Sequence, residues 1–296
     1  MIKIRRGLDI PLAGAPEQSI AREFSPRNVA LVGADYIGMK PTMAVSEGDI
    51  VSKGQTLFTD KKCEGVAYTA PASGRVAAIN RGARRVFQSL VIEIDESVEP
   101  KRWDAVAREA IASLTAESVK SRLLESGEWT SLRVRPFNKV ADPSTEPAGI
   151  FVTAMDTRPH AVNPDWVIAE NADTFVAGQE ILAALSDAPV HVCMAAGSEV
   201  PVAGHQRVQA AELSGPHPAG LAGTHIHFLQ GASLTKLAWT IDYQDVIAIG
   251  NLFRNGEIDS ARVVSVSGPA VSNPEIVRTA RGADIEALTA GNEDGG

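Results

Sequence analysis

The chain has 296 residues, a 44% hydrophobic content and a formal net charge of −8. That length suits roughly two domains of ~100–200 residues with a buried core, and the acidic balance excludes a sequence-independent nucleic-acid binder, which neutralises phosphates with clustered Lys and Arg. No run approaches the ~20 apolar residues of a membrane span, and Met1–Gly7 is basic without the apolar stretch of a signal peptide, so a cytoplasmic chain is expected.

Met1–Ala15 holds a short apolar segment closed by Gly and Pro and reads as an extended arm. Val29–Val32 is a strand. The following Gly33–Pro41 superficially resembles a phosphate loop, but Met39 intrudes before Lys40, Pro41 replaces the hydroxyl residue, and no helical pattern follows.

From Thr42 to Asp95 the texture is short strands separated by glycine turns, at Glu47-Gly48-Asp49, Lys53-Gly54-Gln55, Ala72-Ser73-Gly74 and Arg81-Gly82. That spacing argues a small β-sandwich or barrel. The order of the turns is similar to a biotinyl/lipoyl-type barrel-sandwich module, whose carrier members modify a lysine at a hairpin tip. Lys61 and Lys62 sit near the corresponding place, although Lys-Lys-Cys-Glu-Gly is not a clean acceptor tip.

After Pro100 the periodicity becomes helical. Trp103, Val106, Ala107, Ala110, Ile111 and Leu114 fall on one helix face, and a second helix is predicted from an N-cap at Thr115 to a stop at Gly127. Arg133-Val-Arg135-Pro leads into a Pro-rich loop, Asp142–Pro147, irregular enough to line a site. Strands at Gly149–Met155, Pro189–Ala196 and Arg207–Leu213, with helical spacing at Phe175, Leu182 and Leu185, alternate as in an α/β layer with a largely parallel sheet. Ligands of such sheets gather at the carboxyl ends of strands, but no Gly-x-Gly-x-x-Gly follows any of them. Cys63 and Cys193 are the only cysteines, too few for a disulfide framework or a cysteine-rich metal site.

Ser214–Phe228 is the most unusual stretch. It places His217, His225 and His227 among Gly215, Gly220, Gly223, Pro216 and Pro218. Thr224–Leu229 reads as a strand with His225 and His227 on one face and Ile226 and Phe228 on the other. The stretch is either a structural crossover with satisfied histidines or a ligand contact. His225-x-His227 with His217 also matches part of a zinc set, with no fourth ligand identifiable. A last strong helix opens at Ile241-Asp242-Tyr243 and stops at Gly256. Arg262–Val266 is a strand, Ile276-Val277 reads as another, Asp284–Leu288 is a short helix, and residues 291–296 form a tail. This terminal unit is too short to close its own sheet.

Several of these stretches together resemble one family. Ile4–Pro11, Gly38–Thr42, Ala70–Gly74, Arg81–Arg85, Ser214–Phe228, Asp242–Gly250 and Ser267–Val271 look like the A subunit of the bacterial sodium-translocating NADH:quinone reductases (Na+-NQR). The long Ser214–Phe228 string is the specific part; glycine turns alone are not. The resemblance implies an α+β multidomain chain: an N-terminal arm and first strand (1–41), a biotinyl/lipoyl-like barrel-sandwich module (42–100), a Rossmann-like α/β domain (101–258), and a partial β-grasp, SLBB-like segment with a tail (259–296). Members of that family continue beyond this length, so the chain is C-terminally short relative to them.

The same resemblance implies a protein peripheral to the cytoplasmic face of the bacterial inner membrane, in a NADH:ubiquinone reductase complex that transports Na+. Such a protein carries no redox cofactor and is not catalytic alone; flavins and iron–sulfur clusters belong to its partners, and the membrane-embedded B subunit is the expected neighbour. Ubiquinone is the bound substrate it would help hold. Quinones offer two carbonyl acceptors on an apolar body, so His217, His225 and His227 as donors, with Leu221 and Phe228 as walls, are the residues expected to bind it. Two alternatives stay open: a scaffold without a ligand, and a lipoyl- or biotin-type carrier modified at Lys61 or Lys62.

Overall fold

The computed structural model describes residues 1–292; residues 293–296, the end of the expected tail, lie outside them. The N-terminal segment deals one strand to each of three sheets: β1 (Ile2–Lys3), β2 (Ile20–Glu23) and β3 (Asn28–Val32). The strands β4 (Pro41–Met43), β5 (Ile50–Val51), β6 (Thr56–Asp60), β7 (Cys63–Thr69), β8 (Gly74–Arg81) and β9 (Phe87–Ile94) follow. They join β3 in two sheets, β3-β9-β8-β5 and β4-β6-β7. This is the barrel-sandwich that the glycine turns indicate. Its strands bury Leu31, Phe58, Leu90 and Ile92, with Phe58 and Tyr68 stacked at 4.7 Å.

The helix expected over Trp103–Leu114 does not form. Trp103 N–H donates to the Gly256 carbonyl and Val106 N–H to the Phe253 carbonyl, so the segment runs extended along its neighbour and keeps only a 3-10 turn at Arg108–Ser113. These two bonds hold the start of the segment as extended chain, and of its apolar residues Ile111 is buried while Trp103, Val106 and Leu114 pack partly buried against the core. Helix α1 (Ala116–Ser126) does form as expected, with Thr115 Oγ1 accepting from Ser118 N–H and Gly127 ending it at φ 82°.

Next come β10 (Arg133–Arg135), β11 (Lys139–Val140), β12 (Gly149–Ala154), α2 (Pro164–Glu170), α3 (Ala172–Leu185), β13 (Val190–Ala195) and β14 (Val208–Ser214). Then follow α4 (Ala222–Leu229), β15 (Ala238–Asp242) and α5 (Tyr243–Asn255). The seven-stranded sheet has the order β1-β14-β13-β12-β15-β10-β11; its first five strands are parallel, and β10 pairs antiparallel with both β15 and β11. The α/β layer is therefore a Rossmann-like domain, in keeping with the alternation of strands and helices. Its central strands are buried on both faces. Ile150, Val152 and Ile241 pack with α3 and α5, while Phe151, Cys193 and Ala238 pack with Ile226 of α4 and Ile4 of the arm.

Two further segments depart from their sequence patterns. Thr224–Leu229 is helical rather than a strand, because the chain must cross from β14 back to the parallel strand β15 and α4 lies in that crossover. The polar–apolar alternation is too short a window to overrule that topology. Ile241 and Asp242 belong to β15; Asp242 caps α5 rather than lying inside it, its carboxylate accepting from Gln244 N–H at 2.9 Å.

The terminal unit contains β16 (Ala261–Val266), β17 (Glu275–Ala280) and α6 (Ile285–Thr289). It closes its sheet by borrowing β2 from the N-terminal segment, in the order β16-β17-β2.

Candidate functional site

The three histidines do not converge. In α4 positions two apart point to different sides. His225 is wholly buried, its Nε2 2.9 Å from the Ala219 carbonyl, and burial pushes it down to about 4. His227 faces out, with its ring edge-on to Phe228. His217 packs elsewhere, with Nδ1 3.1 Å from Thr157 Oγ1 and its N–H donating to Asp9. Leu221 and Phe228 are exposed at 38% and 51%. His217 and the Nε2 of His225 thus have local partners, while the buried Nδ1 of His225 has none among the described residues. Among the described residues no group of three or more His, Cys, Asp or Glu is gathered as metal ligands would be. Lys61 and Lys62 are exposed in the turn between β6 and β7.

A cavity of about 580 Å³ lies instead where the three units meet. The barrel-sandwich contributes Tyr36, Tyr68 and Thr69. The connection after α1 contributes Glu128, and β10 contributes Arg133 and Arg135. The carboxyl ends of β12 and β15 bring Thr153 and Asp242, the first turn of α5 adds Asp245, and the terminal unit brings Arg262 and Arg281. Ala222, at the start of α4, is the one residue of the histidine stretch on its wall.

Charge in the cavity is partly cancelled. Arg281 forms an ion pair with Glu128, which is 1% exposed, and Arg262 pairs with Asp245. Asp242 is pushed up to about 7 by burial and, secondarily, by Asp245. Arg133 and Arg135 have no carboxylate partner within ion-pair distance among the described residues. Both lie on one face of β10 because strand positions two apart share a face, while Val134 between them goes to the core. Burial and then the Arg133 charge hold Arg135 below the usual guanidinium range.

Hydrogen bonding is also incomplete. Tyr68 Oη, Arg133 Nη1 and Arg135 Nε are buried donors without a partner. An unpaired buried donor costs about 1–3 kcal/mol, so its presence on a cavity wall invites an acceptor. The Tyr36 ring meets Tyr68 edge-on at 4.7 Å and carries the Arg133 guanidinium over its face at 5.1 Å. The same aromatic pair also borders a second, more apolar groove of about 290 Å³, lined by Ile37, Met39, Phe137, Val140 and Leu237 together with the charged Asp60, Lys62, Lys139 and Asp142. Tyr36 and Tyr68 border both spaces. The arrangement suits a ligand with a hydrogen-bond-accepting head and an apolar extension.

Sequence reasoning flags the irregular loop after Arg135 but not the site itself. The available signal is Arg133-x-Arg135, two cations at strand period. The tyrosines, Glu128 and Arg281 are brought together only by tertiary contacts.

Residues 2–95 match the family model of the NqrA N-terminal barrel-sandwich hybrid domain, 114–258 that of the NqrA second alpha/beta domain, and 263–295 that of the NQRA C-terminal domain. The chain is 52% identical over 295 residues to a protein of Serratia proteamaculans named as the A subunit of a Na(+)-translocating NADH-quinone reductase, covering 98% of this chain and 65% of that one. A Pseudomonas aeruginosa protein of the same name is 52% identical over 293 residues, with the same shares covered. The chain thus spans 65% of the length of these curated relatives.

Proposed function

The chain belongs to the NqrA family, and from that premise we propose that it serves as the A subunit of a Na(+)-translocating NADH-quinone reductase, holding a quinone in the central cavity without catalysing electron transfer by itself. The observation that carries the quinone reading is the set of unpartnered donors, Tyr68 Oη, Arg133 Nη1 and Arg135 Nε, on a cavity that adjoins an apolar groove. A quinone has two carbonyl acceptors on a ring and an apolar tail. The donors bind the carbonyls, the Tyr36 and Tyr68 rings flank the head, and the groove past Ile37 and Phe137 takes the tail. Electrons come from cofactors in partner proteins of the complex, flavins and iron–sulfur clusters by chemical class, since a nucleophile or base does not move electrons from NADH to a quinone. No helix of the described residues is long and apolar enough to cross a membrane. On this reading the chain sits peripherally, on the cytoplasmic face beside a membrane partner such as the B subunit. The chain's own role is to bind and orient.

A titration with a short-tail ubiquinone tests this, read by the fluorescence of Trp129, which sits beside Glu128 and packs edge-on to Trp239. Saturable binding is expected, weakened roughly tenfold by Arg133→Ala or Tyr68→Phe and unchanged by His217→Ala. A folded chain that binds no quinone would overturn the ligand role and leave an assembly scaffold.

A further inference from the structure

A third space, a recess, lies on the opposite side of the α/β sheet from α3 and α5, between the N-terminal arm and α4. It has a volume of about 500 Å³, with Ile4 and Pro218 among its apolar residues, and is bordered by Phe228, His227 and the cations Lys3, Arg5 and Arg6. Two features set it apart. Lys3, Arg5 and Arg6 are exposed and make no ion pair among the described residues, in a chain whose formal charge is −8. In addition, β1 is the outer strand of the sheet, bonded to β14 on one side only.

We propose that this recess docks an extended, acidic and apolar segment of a partner polypeptide, which adds to the β1 edge and places an apolar side chain against Ile4 and Phe228. An open strand edge supplies main-chain donors and acceptors, and pockets beside it select alternate side chains; this is the usual form of strand addition. The charge chooses the partner. A second copy of this chain would bring Lys3, Arg5 and Arg6 against themselves, and edge cations commonly prevent such self-pairing. A segment carrying Asp or Glu meets them with opposite charge. A concave recess also fits an inserted side chain better than a flat bilayer surface. The proposal rests on the reading that the chain works inside a complex, and is independent of the quinone cavity, with which the recess shares no residue.

The test uses the assembled complex. Phe228→p-benzoylphenylalanine is photo-activated and its crosslink mapped by mass spectrometry, and a Lys3→Glu, Arg5→Glu, Arg6→Glu variant is scored for co-purification with the complex. A crosslink to an Asp- or Glu-containing segment of another protein of the complex is expected, with about a tenfold loss of co-purification for the charge-reversed variant and an unaltered ubiquinone titration. A crosslink to lipid only, with charge-dependent binding to phosphatidylglycerol vesicles, would overturn the proposal in favour of a membrane contact. A crosslink to a segment without acidic residues, or unchanged co-purification, would also overturn it. If the unaltered chain fails to co-purify at all, the reading of the chain as part of a complex fails instead.

Discussion

Asp242 holds two positions at once, as N-cap of α5 and as part of the cavity wall. Its carboxyl is pushed up to about 7 by burial, with Asp245 adding to the rise while Gln244 N–H, Arg262 and Arg158 oppose it. An unfolded aspartate titrates near ~3.9. Between the two values the folded chain binds more protons than the unfolded one, so the contribution of Asp242 to stability falls as pH rises through that window. Asn caps a helix as well as Asp does and does not titrate. Asp242→Asn should therefore raise thermal stability by an amount on the order of 1 kcal/mol greater near pH 8 than near pH 4. Melting curves at the two pH values check this, and an equal gain at both would sink it. His225 has the opposite dependence: burial holds it neutral, so its contribution is lost as pH falls from the ordinary histidine range toward about 4.

At the scale of elements, α3 and α5 approach through their glycines. A Cβ on Gly250 would sit 1.9 Å from the Thr174 carbonyl oxygen, and one on Gly178 2.2 Å from that of Val246. Both obstacles are backbone, which cannot swing aside. Gly250→Ala should destabilise the fold by about 1–3 kcal/mol through overpacking, despite alanine's better helix propensity. Gly223 in α4 has open space around its Cβ, so Gly223→Ala should be neutral or stabilising by up to about 1 kcal/mol. Urea midpoints at constant slope measure both, and a neutral Gly250→Ala would show that the helices can separate without cost.

At the scale of the whole molecule, ion pairs join the units around the cavity. Arg281 reaches from the turn after β17 to Glu128 in the connection after α1, and Arg262 of β16 reaches Asp245 of α5. Ser260 Oγ donates to the Pro71 carbonyl of the barrel-sandwich at 2.5 Å. Arg281→Ala leaves the carboxylate of Glu128 buried and unpaired, which should cost about 3 kcal/mol. Glu128→Gln in the same background should recover part of it by removing the stranded charge. Chemical denaturation of the single and double variants checks the pair; additive losses would mean that the two side chains do not interact.

Elements with local signals are legible in the residues alone. Thr115 and Gly127 delimit α1 because a cap hydrogen bond and a positive φ are properties of a few adjacent residues. Glycine turns at fixed intervals outline the barrel-sandwich, and alternating strands and helices outline the parallel sheet. Family membership is legible as well, in strings such as Ser214–Phe228. Long-range packing settles the rest. Trp103–Val106 runs extended against residues more than a hundred positions away, its Trp103 and Val106 N–H groups donating to the Gly256 and Phe253 carbonyls. Thr224–Leu229 is helical because parallel strands require a crossover. His225 and His227 are two positions apart in the chain, but the helix α4 turns them to different sides. The cavity draws on residues from Ala30 to Gly282. Its charge balance and its unpaired donors arise only when three separately legible units close on one another, because each unit alone leaves those groups in water.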